Sequence, residues 1–132
     1  MSETILPEGW PRPSGYANGI IAEGRVLAVA GQVGWNPRTG RFESDDFVAQ
    51  TGQALRNVRD VLAAAGAGVE HVVRLTWYVT SRDEYTSRRA EIGPAYREVF
   101  GAHYPAMSIV IAALLEPRAK VEIEATAVLP RR

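Results

Sequence analysis

Cysteine is missing from this chain, so no disulfide staples it and no thiolate can act as nucleophile or metal ligand. Histidine occurs only at His71 and His103. Neither has a second ligand at metal spacing, so no metal site is expected. Net charge is missing too: 15 Lys+Arg stand against 15 Asp+Glu, and the arginines are scattered from Arg12 to Arg132. That balance argues against a nucleic-acid partner, which needs a concentrated basic surface. No apolar run approaches the ~18 residues of a membrane span, and the N-terminus lacks the apolar centre of a signal segment. The expectation is a cytoplasmic chain with no membrane partner. Its 132 residues are read as one domain, 1–132, a size that buries roughly two-thirds of the unfolded surface.

What is present is a strand and helix pattern with clear punctuation. Residues 1–15 carry Pro7, Pro11 and Pro13 and read as an extended arm, with Trp10 packing it onto the body. Ile20–Glu23 reads as a short strand, and Glu23–Gly24 as a hairpin turn into a strand over Arg25–Val33. Gly31 and Gln32 end that strand where a backbone can approach a neighbour closely. Asp45 or Asp46 can cap a helix running to about Ala65, with Val48, Leu55, Val58 and Leu62 on one face and Gly66 past its end. Gly52 within it points to close helix–sheet contact. Val69–Thr80 reads as a third long strand. Ser81–Arg82–Asp83–Glu84 fits a capping box opening a second helix, which Pro94 should kink or restart before Gly101 ends it.

The last thirty residues organise the rest. Met107–Leu115 is apolar on both alternating faces, and Val121–Leu129 alternates with Glu122, Glu124 and Thr126 on one face. With Glu116–Pro117–Arg118 between them they read as a closing hairpin. The order is β-β-α-β-α-β-β, an α+β fold with a mixed sheet and two helices on one face. Two strands, Arg25–Val33 and Met107–Leu115, are apolar on both faces and read as central. The sheet face left without helices would then be an exposed apolar patch, and such patches mark interfaces. An oligomer is expected.

The wording of that C-terminal segment, Pro105–Ala106–x–Ser108 followed by an apolar strand, a Leu–x–Pro turn and Val121–Glu122–Ile123–Glu124–Ala125, resembles the signature of the RidA (YjgF-type) reactive-intermediate deaminases. The resemblance implies a chorismate-mutase-like fold, a homotrimer, and three clefts between subunits that bind a small molecule. It implies hydrolysis of imines and enamines without metal or organic cofactor. Carried over by position, the cleft residues are Tyr16, Gly31, Gln32, Met107, Ile109 and Glu122. Glu122 would hold the attacking water. The family has arginine where this chain has Met107, and asparagine where it has Gly93. A thioether cannot reproduce the forked grip of a guanidinium on a carboxylate, so the resemblance implies a divergent member with an altered substrate range. Arg12, Arg74 and Arg118 are the candidate replacement cations. The alternatives are a non-catalytic ligand-binding trimer and, more remotely, an activity on RNA of the endoribonuclease or translation-inhibitor kind.

Overall fold

The computed structural model describes residues 2–132, so Met1 of the arm lies outside the described residues. The strands are β1 (Ser2–Ile5), β2 (Gly19–Ala22), β3 (Arg25–Val33), β4 (Val72–Val79), β5 (Ala106–Ile111) and β6 (Val121–Leu129). The helices are α1 (Phe47–Ala64), α2 (Arg82–Ser87) and α3 (Arg89–Phe100), with a 3₁₀ turn at Val69–His71. A four-stranded mixed sheet runs in the order β3-β6-β4-β5, and β1 pairs with β2 in a separate ribbon. The α+β class and the helices on one face are as the sequence pattern indicates.

The first long helix follows its punctuation closely. The Asp46 carboxylate accepts the Ala49 N–H at 3.0 Å, an N-cap. At the other end the Ala67 N–H reaches back to the Leu62 carbonyl at 2.8 Å and the Gly66 N–H to the Ala63 carbonyl at 3.0 Å. These two bonds make a Schellman motif around a left-handed glycine. Leu55, Val58 and Leu62 are wholly buried against Leu75, Trp77 and Val79 of β4 and Val121, Ile123 and Ala127 of β6. Gly52 has a different reason from the expected sheet contact: a Cβ there would meet only the Arg56 guanidinium, at 3.2 Å.

The strand neighbours depart from the sequence reading in three places. First, the last two strands form no hairpin. β5 pairs parallel to β4, and β6 inserts antiparallel between β4 and β3. The helices α2 and α3 supply the crossover a parallel pair needs. β5 also stops at Ile111, because its partner ends at Val79 and residues 113–115 have nothing left to pair with. Second, β2 and β3 form no hairpin. β2 takes β1 as partner, so residues 2–5 of the arm are a paired strand. Gly24 (φ 148°) lies where a Cβ would strike the Leu129 carbonyl, which brings β3 against β6. Third, β3 and β5, the strands read as central, are the two edges of the sheet. The helix-free face therefore stays open in one chain: Val26 is 71 % exposed and Val110 41 %.

The second helical region breaks at Arg88 rather than Gly93–Pro94, and Pro94 lies inside α3. Part of proline's clash is with the Cβ of the residue before it, and Gly93 has none. Arg88 sits at the break with its guanidinium on Asp46 at 2.8 Å and also paired to Glu91. Only half of the expected capping box forms. Ser81 Oγ accepts the Glu84 N–H at 3.1 Å, while the Glu84 carboxylate turns to Lys120 at 3.4 Å. Trp10 does not pack down; it is 57 % exposed. The start of the expected third strand, Val69–His71, is the 3₁₀ turn.

Candidate functional site

Tyr16 reaches β5 through a short backbone link. The Ala17 N–H donates to the Pro105 carbonyl at 3.0 Å, and Ala17 bridges in parallel to Ala106. Met107 and Ile109 pair with the core-facing Leu75 and Trp77, which sets both on the helix side of the sheet. There Tyr16, Met107 and Ile109 line one cavity of about 720 Å³ together with Trp77, Tyr104 and α3. Its wall is aromatic. Tyr96 stacks on Tyr104 at 5.5 Å and on Phe100 at 5.1 Å between ring centres. The Tyr96 hydroxyl donates to the His103 carbonyl at 2.6 Å, and burial pushes its phenol well above the ordinary range. His103 Nε2 in turn stands 2.7 Å from the Val72 carbonyl. That histidine therefore fixes the approach to β5. His71 is also structural, its Nδ1 accepting the Gly68 N–H at 3.0 Å.

Gly31 and Glu122 meet on the opposite face of the sheet, whereas Gln32 pairs with the core-facing Ile123. The register between β3 and β6 shifts between Val29 and Gln32, a bulge that Gln32 spans by donating from Nε2 to the Ala30 carbonyl at 3.1 Å. The bulge brings the Gly31 backbone directly under the Glu122 carboxylate, where a Cβ on residue 31 would collide with it. Glu122 is half-buried, and among the described residues it has no hydrogen bond or ion pair. Its neighbour Glu124 does have a partner. The Tyr78 hydroxyl donates to Glu124 Oε1 at 2.8 Å, and holding that proton raises the Tyr78 phenol above its ordinary value. The carboxylate without a partner is thus the one the sequence singles out.

One chain does not bring these residues together. Tyr16, Met107 and Ile109 form one half-site on the helix side, and Gly31 and Glu122 form another on the open face, with Gln32 beside Gly31 in the bulge. Of the cations considered from sequence, Arg118 is held by Asp45 at 2.6 Å and lies over the Phe42 ring at 5.5 Å. Arg12 and Arg74 do not line the cavity. Arg89 and Arg97 do, and the sequence reading missed both. The signal was available: Arg89, Gly93 and Arg97 recur every four residues and so share one helix face.

Comparison with known proteins places this geometry in a family. The family model described as "Endoribonuclease L-PSP" matches residues 11–129. A 2-iminobutanoate/2-iminopropanoate deaminase of Escherichia coli is 36% identical, with 97% of this chain and 98% of that protein aligned. A RutC family protein of Pyrococcus horikoshii is 34% identical over 96% of this chain and 98% of its own. Among solved structures, the conserved Rid-family protein YyfB of Yersinia pestis superposes with a TM-score of 0.84 at 37% identity. That match covers 97% of this chain and 98% of the other.

Proposed function

We propose a function on one premise: the chain belongs to the Endoribonuclease L-PSP family, which includes the RidA (YjgF-type) deaminases. On that premise it assembles as a homotrimer through the open sheet face, and each cleft between neighbours joins the Tyr16–Met107–Ile109 half-site of one chain to the Gly31–Gln32–Glu122 half-site of the next. Each cleft binds a small molecule with a C=N bond and hydrolyses it. Glu122 takes a proton from water as the oxygen adds to the imine carbon. The resulting carbinolamine collapses to the carbonyl compound and ammonia. No metal or organic group enters this scheme. The observation that carries the reading is the unpartnered, half-buried carboxylate pressed against Gly31, on the face of the sheet opposite the cavity lined by Met107.

Met107 alters the substrate range. A guanidinium there would fork onto a carboxylate next to the C=N carbon. Losing such a charge-assisted pair in a cleft costs roughly 2–5 kcal/mol, or about 30- to several-thousand-fold in rate. RNA is not proposed as a substrate, because 15 basic side chains are offset by 15 acidic ones, and affinity for a phosphate backbone needs a concentrated basic surface.

Two measurements test this. Light scattering should give roughly three times the 14.4 kDa chain mass; a stable monomer at micromolar concentration would remove the shared cleft. Imino acids released in place by an amino-acid oxidase, with semicarbazide as competing trap, should be poor substrates of the natural protein. Met107→Arg, alone or with Gly93→Asn, should raise their hydrolysis by about tenfold or more. Rapid turnover of the short imino acids by the unmodified protein would refute the assignment of Met107.

A further inference from the structure

The cavity beside Met107 is not without positive charge. Arg89 and Arg97 line it from α3, and among the described residues neither guanidinium has a carboxylate partner. The contrast with Arg88 on the same helical stretch is direct, since Arg88 is held by both Asp46 and Glu91. Sequence spacing explains the difference. The positions three and four away from Arg97 are Pro94, Gly93, Phe100 and Gly101. Those around Arg89 are Thr86, Tyr85, Ile92 and Gly93. No acid stands where a helical ion pair would form.

Gly93 lies four residues from each arginine, and its missing side chain makes room for Arg97. A Cβ at position 93 would stand 3.1 Å from Arg97 Nη1. Between this cation and the strand, the cavity is walled by Met107, Ile109, Tyr16 and Tyr104.

We infer that Arg97, assisted by Arg89, is the anion-binding element of this cavity, and that the ligand is a carboxylate whose apolar or aromatic body separates its charge from the end facing the strand. The inference rests on the reading of the cleft given above and names its ligand class. The charge has moved from the strand position occupied by Met107 to the helix, so the negative group of the ligand is displaced toward α3. A short acid carries its carboxylate next to the reacting carbon, whereas Arg97 and Met107 stand on different elements of the cavity wall. A longer acid can lay its body on Met107 and Ile109 and still reach the guanidinium. Arginine suits this role because its planar fork holds a carboxylate with two parallel hydrogen bonds.

The test uses ligands that cannot react, so binding is read apart from hydrolysis. Titration calorimetry compares 3-phenylpropionate, 3-phenylpropionamide and 2-oxobutanoate on the full-length protein. The phenylpropionate should bind about tenfold or more tightly than its neutral amide and than the short oxo acid, with affinity falling as salt rises. Arg97→Gln should remove about the same factor, Arg97→Lys should recover part of it, and Arg89→Gln should have the smaller effect. Thermal melts establish that each variant is folded. Equal affinity for acid and amide, unchanged binding in Arg97→Gln, or no binding of the acid at millimolar concentration would each overturn the inference. A protein that binds the acid through Arg97 yet hydrolyses no imine would overturn the proposed activity and leave this assignment standing. One that hydrolyses imines with no dependence on Arg97 would do the reverse.

Discussion

Gln50→Leu should lower the unfolding free energy by about 3 kcal/mol and reduce whatever activity depends on Glu122. Gln50 is 1 % exposed and every polar atom of its side chain is engaged. Nε2 donates to the Ser44 carbonyl at 3.0 Å and to the Arg118 carbonyl at 3.1 Å, and Oε1 accepts the Lys120 N–H at 2.8 Å. The side chain thus ties α1 to the segment that enters β6, two residues before Glu122. Leucine matches the volume but leaves Lys120 without an acceptor and two carbonyls without a donor. Each buried group left unpaired costs about 1–3 kcal/mol. The approach of α1 is also fixed from the other side: a Cβ on Gly34 would strike the Gln50 backbone, so the helix cannot shift to compensate. Urea unfolding should show a lower midpoint with an unchanged slope. A midpoint equal to the parent's would mean that water replaces the amide at no loss, and that Gln50 does not position β6.

Local signals were legible in the sequence, and non-local ones were not. Asp46 and Gly66 bracket α1 because caps satisfy groups within a few residues of themselves. Alternation along β6 correctly assigned Ile123 and Ala125 to the core and Glu122 to the other face. Alternation cannot name a strand's neighbour. Adjacency in sequence suggested that β5 and β6 pair, yet the connection over 112–120 is long enough to carry β6 past β4. The same limit explains β3 and β5. Apolar residues on both faces say that both faces avoid water, and a central strand was one way to achieve it; here the strands are edges whose outer face is open in the single chain. For the site, the resemblance pointed to Glu122 and Gly31 separately. Their contact depends on a bulge between Val29 and Gln32, which a repeat of two cannot reveal. Arg97 was overlooked because a charged residue on an exposed helix face is usually solvated, and only the cavity distinguishes it from Arg82.

The division of the half-sites between opposite faces of the sheet leads to the sharpest expectation. Glu122→Ala removes the proton acceptor, and Met107→Glu sets a like charge where an anionic ligand must lie. Each variant alone should fall about 10²- to 10⁴-fold in hydrolysis, the range for loss of a positioned base, measured on the imine that the unmodified protein turns over fastest. If every cleft draws Glu122 from one chain and Met107 from its neighbour, the two defects need not coincide. When equal amounts of the two variants are unfolded together and refolded, a given cleft has an even chance of an intact Glu122 and, independently, an even chance of an intact Met107. About a quarter of the parent activity should return. Each variant refolded by itself should stay inactive, which separates complementation from simple recovery of folding. No recovery in a mixed trimer, with both chains shown to be present, would mean that the two half-sites do not meet across an interface. Glu122 would then be a solvent-facing carboxylate rather than the residue that holds water, and the cavity on α3 would have to work without it.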